Sequence, residues 1–150
     1  MDTFIISKVR SSDVPDIKKI EVECGLSPWT IAAYETEQRH PDAVMLKVSV
    51  EDGSIVGFVV GRAPVGGDGE ILNIGTALAC QRQGIGSMLI EEFRRICTER
   101  RLSTIWLEVR SSNRPAIDFY RSRGFIRKGV RPNFYSNPTE DADLMVCALT

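Results

Sequence analysis

The sequence predicts a mixed α/β (α+β) fold in which six to seven strands form a mostly antiparallel sheet flanked by about four helices. Three observations carry that prediction. Short β-branched runs bounded by turn residues recur along the chain, and residues 44–50 and 55–62 flank Glu51, Asp52, Gly53 and Ser54 as the arms of a hairpin would. Between residues 85 and 97 the apolar side chains Ile85, Met88, Leu89, Ile90, Phe93, Ile96 and Cys97 follow helical spacing. That helix lies between two strand-like runs, 70–77 and 104–109, and strand, crossover helix and parallel strand in succession make the sheet a mixed one.

The other elements follow in order. Residues 4–9 read as a first strand, and Ser12 with Asp13 opens a helix carrying Val14, Ile17, Ile20 and Val22. After a break at Cys24 and Gly25, the segment Pro28, Trp29, Thr30 starts a second short helix that ends ahead of His40 and Pro41. Residues 64–69 are a flexible connection. Asn113 can cap a further helix, which tolerates Pro115 in its first turn and stops at Gly124. Residues 125–130 and 143–149 read as closing strands around a loop at 133–141.

A chain of 150 residues with 43% apolar and 26% charged side chains suits one domain, 1–150, with no interdomain linker or repeat. No apolar run approaches the roughly 20 residues a spanning helix needs, and residues 1–4 do not begin a leader with a basic and then an apolar region. Cys24, Cys80, Cys97 and Cys147 form no CxxC pair and have no histidine cluster beside them, so no metal is expected, and unpaired thiols fit a reducing cytoplasm. The net charge of -1 argues against direct nucleic-acid binding through a broadly basic surface, although arginines crowd residues 82–131 and leave room for a local anion site. The only histidine, His40, precedes a proline in a polar stretch and suits a turn better than a catalytic triad. Without a coiled-coil seam, a monomer or weak homodimer is expected.

One short motif points to chemistry. Gln81, Arg82, Gln83, Gly84, Ile85 and Gly86 join a strand to the strongest helix, and the two glycines let the backbone turn tightly and approach a ligand. Amides at a helix entrance, aided by the helix dipole and by Arg82, can hold a pyrophosphate, although a tight strand-to-helix connection alone would look the same. Neither GxGxxG nor GxxxxGK[ST] is present.

This motif, together with Asn73-Ile74, the run Trp106 to Arg110, Ser112-Asn113, Ala116-Ile117 through Tyr120, Gly124-Phe125, Asn133-Phe134-Tyr135, Glu140-Asp141-Ala142 and the early Pro28-Trp29, resembles the GCN5-related N-acetyltransferase (GNAT) superfamily. The resemblance extends over essentially the whole chain and is strongest toward the RimI-like group, which acetylates the N-terminal alanine of a ribosomal protein. It implies a sheet splayed into a V between its central parallel strands, acetyl-coenzyme A as cosubstrate, and a protein or peptide N-terminus as partner. Ile74, Gly75 and Thr76 would then meet the acetyl end through their backbones, residues Gln81 to Gly86 the phosphates, and Asn113 the coenzyme arm. By motif match Glu108 would be general base and Tyr120 general acid. Trp29, Arg131, Asn133, Phe134 and Tyr135 would come from loops on the acceptor side, and Glu70 would stand beside the acetyl site as a second carboxylate. The family's usual Ala-Val-Asp-Pro after Asn-Ile is here Gly75, Thr76, Ala77 and Leu78.

Other readings stay open on the residues alone. Glu108 could be a strand-end carboxylate paired with Arg110 or Arg114, and Tyr120 an aromatic packed between helix and sheet. A small amine, a lysine side chain or an antibiotic could be the acceptor, and a noncatalytic acetyl-coenzyme A-binding domain would carry the same turn.

Overall fold

Seven strands join in one sheet, in the order β1-β2-β3-β4-β5-β7-β6, in a computed structural model that describes residues 3–149. The strands are β1 (Ile5–Lys8), β2 (Ala43–Ser49), β3 (Ile55–Arg62), β4 (Gly69–Thr76), β5 (Thr104–Arg110), β6 (Ile126–Tyr135) and β7 (Glu140–Ala148), and the helices are α1 (Val14–Glu23), α2 (Ile31–Gln38), α3 (Ile85–Glu99) and α4 (Arg114–Ser122). Every neighbouring pair runs antiparallel except β4 and β5, which α3 connects as a crossover.

The β4–β5 ladder is short. It registers Gly69 with Ile105, Glu70 with Trp106 and Ile71 with Leu107, and stops there. Beyond Ile71 the pairing of β4 to β3 slips by one residue opposite Val60 and Gly61, a bulge at Leu72 that turns the strand away from β5. The remainder of β4 and of β5 therefore diverge, leaving strand edges unpaired in the middle of the sheet.

Helices cover both faces. Ile85, Leu89, Ile90, Phe93 and Cys97 of α3, with Ile117 and Tyr120 of α4, pack on Leu46, Val59, Ile71, Ile105, Leu107 and Met145. On the other face Val14, Ile17 and Ile20 of α1 and Tyr34 of α2 pack on Met45, Phe58 and Val60. Thr30 precedes α2 as its cap, accepting a hydrogen bond from the Ala33 amide, so Pro28 and Trp29 lead into the helix without joining it. Val22, expected on the inner side of α1, is 65% exposed, because the helix buries Ile17, Ile20 and Glu21 instead.

The largest departure from expectation is at the end of the chain, where residues 133–141 are mostly strand. β6 runs to Tyr135, β7 starts at Glu140, and Tyr135 pairs with Glu140 across a short turn. A register shift between Arg131 and Tyr135 accommodates Pro132, Asn133 and Phe134, with Asn133 at φ 51° and its amide donating to the Asp141 carboxylate at 2.9 Å. Irregular backbone around a proline reads as loop, whereas the flanking ladder makes it a bulged strand.

Candidate active site

A cleft of about 560 Å³ opens where β4 and β5 part, and side chains from both faces of the sheet reach it. Alternation along β5 sends Ile105, Leu107 and Val109 into the core shared with α3 and α4, and so puts Trp106, Glu108 and Arg110 on the opposite face. Glu70 lies on that same face, because it registers with both Arg62 and Trp106. Tyr120 comes from α4 on the first face. Glu108 and Tyr120 therefore face one space from opposite sides of the sheet, and they can do so only because the strands between them are not hydrogen-bonded.

Of the residues singled out in the sequence, Trp29, Glu70, Ile74, Glu108, Asn113, Tyr120, Arg131, Phe134 and Tyr135 line this cleft. Gly75, Thr76, the turn from Gln81 to Gly86, and Asn133 do not. Arg131, Asn133, Phe134 and Tyr135 reach the region from β6, correcting their expected place in a loop. Gly75 is buried beneath the α1–α2 segment: a Cβ there would lie 3.0 Å from Leu26 and 3.2 Å from Phe58, so the glycine lets that segment close on β4. Asn113 caps α4, accepting from the Ala116 amide at 3.3 Å, and lines the cleft as well.

Electrostatics differ between the two sides. Burial and the neighbouring charge of Glu70 hold the Glu108 carboxyl above the ordinary glutamate range, while Arg131, 3.1 Å away, pulls it back in part. Neither Arg110 nor Arg114 is its partner: Arg110 pairs with Glu140. Tyr120 is pushed well above the normal phenol value by burial and by Tyr135, and its hydroxyl has no hydrogen-bond partner among the described residues. Such a phenol keeps its proton throughout the range in which enzymes work. Burial and Glu108 push Tyr135 up to about 12.

The Trp29 side of the cleft is a braced wall. Glu21, fully buried in α1, accepts hydrogen bonds from the Trp29 amide at 3.1 Å, from Lys18 at 2.6 Å and from the Tyr34 hydroxyl. Tyr34 in turn accepts from Asn73 of β4 at 3.1 Å and stacks on Trp29 with ring centroids 5.1 Å apart. Because this network ties the Trp29 segment to β4, the indole is a wall of the cleft and an inter-helix anchor together. A polar buried cluster is stabilising only when its members are satisfied, as they are here.

Outside the cleft, after the end of β4, Gly84 caps α3 at φ 85° and the amides of Gly84, Ile85, Gly86 and Ser87 have no acceptor among the described residues. They point outward with the positive end of a 15-residue helix behind them. A Cβ on Gly86 would approach Phe119 at 3.3 Å. Arg123, which the sequence reading passed over, donates to the Ser87 hydroxyl in the first turn of α3, while its buried Nε finds no partner. Unspent amides and an orphaned guanidinium nitrogen suit a phosphate-bearing ligand. Among the described residues no cluster of histidine, cysteine, aspartate or glutamate could hold a metal ion, and no helix is long and apolar enough to cross a membrane.

The profile of the acetyltransferase (GNAT) family matches residues 14–125, three quarters of the chain and the whole of the cleft's frame apart from β6 and β7. The chain belongs to that family. The acetyltransferase is 29% identical over 144 residues to the [ribosomal protein bS18]-alanine N-acetyltransferase of Escherichia coli K12, covering 96% of this chain and 95% of the relative. It is 30% identical over 148 residues to the protein of the same description from Haemophilus influenzae, covering 97% and 99%. Among solved structures, the ribosomal-protein-S18-alanine N-acetyltransferase of Escherichia coli superposes with a TM-score of 0.88 at 27% identity, over 99% of this chain and 95% of that one. Ard1 from Thermoplasma volcanium superposes at 0.89 and 28%, over 98% of each. Acetyltransferases of the family use acetyl-coenzyme A, and the free amides at α3 fit its phosphates.

Proposed function

We propose that this acetyltransferase moves an acetyl group from acetyl-coenzyme A onto the α-amine at the N-terminus of a protein, and that the N-terminal alanine of a small-subunit ribosomal protein is among its acceptors. The observation that carries the reading is the slot between β4 and β5, with the carboxylates of Glu108 and Glu70 on one face and the Tyr120 phenol on the other. The relatives' activity on a ribosomal-protein alanine supports the acceptor. Four free cysteines suit the reducing cytoplasm in which ribosomal proteins are made.

Bound acetyl-coenzyme A would supply the activated acetyl thioester. The turn from Gln81 to Gly86, with Arg82, would hold its phosphates, and Ile74, Gly75, Thr76 and Asn113 would line the course of its arm. An ammonium entering from the face of Trp29 and Tyr135 meets Glu108, which takes its proton directly or through a water and leaves a nucleophilic amine. The amine nitrogen would bond to the thioester carbonyl carbon, the C–S bond would break, and Tyr120, kept protonated by burial, would give its proton to the departing sulfur and regain one from the nitrogen as it becomes the amide. Glu70 shares the negative field that draws the cation in, and Arg131 limits it.

The test is thiol release with acetyl-coenzyme A and short peptides beginning with alanine, each free and N-terminally blocked, beside polyamines and lysine-bearing controls. Release that requires a free peptide N-terminus is expected. Release only with polyamines or blocked lysine peptides would replace the acceptor class.

A further inference from the structure

The row of side chains on the open face of β5 continues past Glu108 to Arg110, two residues on. Its guanidinium is anchored by the hairpin between β6 and β7. Nη1 donates to the Pro138 carbonyl at 3.0 Å and to the Glu140 carboxylate at 3.2 Å, Nη2 donates to the Ser136 carbonyl at 3.2 Å, and the guanidinium carbon stands 4.5 Å from the centre of the Tyr135 ring. Glu140 completes the clasp by accepting from the Ser112 amide at 2.8 Å, one residue ahead of the Asn113 cap of α4. The Ser111 amide adds a bond to the Asp141 carbonyl at 3.0 Å.

The hairpin needs such a hold. β6 is an edge strand exposed along most of both faces, and its pairing to β7 is interrupted at Pro132, Asn133 and Phe134, just ahead of Tyr135. Hairpin tips of that kind open locally at little energetic expense. Only a planar fork can bridge two carbonyls and a carboxylate while stacking on a ring, so arginine and no other side chain meets the requirement.

We propose that Arg110 is the positioning residue of the acceptor side, locking the hairpin turn so that Tyr135 and Phe134 hold a fixed place opposite Glu108. Because Arg110 and Glu108 share one strand and one face, the clasp sets the distance between the base and the aromatic wall, and through Ser112 it ties that wall to the helix that carries Tyr120. The proposal rests on the reading of the cleft as an acceptor site for a peptide amine.

Arg110→Lys keeps the charge and loses the fork. With an alanine-starting peptide, its KM for the peptide is expected to rise about tenfold while kcat changes less than about threefold and the KM for acetyl-coenzyme A stays within about twofold. Hydrogen exchange of amides 133–139 should quicken, with those of β5 and the core half of β7 unchanged. Glu140→Gln, which retains an acceptor for Ser112, should move the peptide KM the same way by less. An unaltered peptide KM despite faster hairpin exchange would overturn the proposal, and so would an equal rise in both KM values, since that is general loosening. Wild-type protein that releases thiol with no peptide amine would instead take down the acceptor reading, and this proposal with it.

Discussion

Glu108 has three charged or titratable neighbours: Glu70 from β4, Arg131 and Tyr135 from β6. A base works deprotonated, so with its pKa raised by burial and Glu70 the acid limb of kcat/KM should lie above the ordinary glutamate value of about 4.3. Arg131→Met removes the one group pulling the other way, and the limb should move further up. A limb that stays put would mean that Glu108 does not govern it. The proposed roles themselves are checked as a pair: Glu108→Gln and Tyr120→Phe should each lower kcat by about a hundredfold with acetyl-coenzyme A affinity kept. Tyr120→Phe should also leave thermal stability near wild type, because the hydroxyl forfeits no protein hydrogen bond. Either variant turning over at the wild-type rate would strike that residue from the chemistry. The family resemblance put Glu108 and Tyr120 forward, and both line the cleft, but the partner of Glu108 was not foretold. An Arg131 contact depends on the register of β6 against β7, which places Arg131, Ala142 and Arg110 in one row, and no local pattern encodes that register.

Among elements, α3 was readable at nearly full length because its inner face is apolar at helical spacing, and the surface it packs on is equally specific. β3 presents Gly57 and Gly61 to it, four residues apart. A Cβ at Gly61 would stand 2.5 Å from the Phe93 ring and 2.7 Å from the Glu70 carbonyl, so the glycine both admits α3 and leaves β4 undisturbed at the start of the slot. Gly61→Ala should therefore destabilise the fold by about 1–3 kcal/mol, as overpacking does. Denaturant unfolding would register this as a lower midpoint with unchanged slope, and an unshifted midpoint would mean that the helix bed yields at no expense. β6 was the element least legible. Its residues are exposed on both faces over most of its length, so alternation has no apolar partner to mark it, and the bulge at residues 132–134 hides the far end.

At the scale of the whole molecule the sequence order of strand, crossover helix and strand foretold a parallel pair inside an antiparallel sheet, and the resemblance foretold its splay. What neither conveyed is that, on the proposed reading, the splay would put the two substrates on opposite faces. Tyr120 and the free amides of α3 belong to the α3/α4 side, whereas Glu108, Glu70, Trp29 and Tyr135 belong to the other, and the unpaired edges beyond Ile71 and Leu107 are where the two sides communicate. A base on one face and an acid on the other can act on the same carbonyl only if amine and thioester are present together. Neither Cys97 nor Cys80 suits a relay that would carry an acetyl group between separate half-reactions. Cys97 is buried, with its thiol raised to about 11 by desolvation, and Cys80, though partly exposed, is not among the residues lining the cleft. Initial rates measured over a grid of peptide and acetyl-coenzyme A concentrations should therefore give intersecting double-reciprocal lines, and enzyme incubated with acetyl-coenzyme A alone should gain no 42 Da adduct, about the mass of one acetyl group. Parallel lines together with such an adduct would require a covalent relay, and would move the reaction off the slot and onto a cysteine.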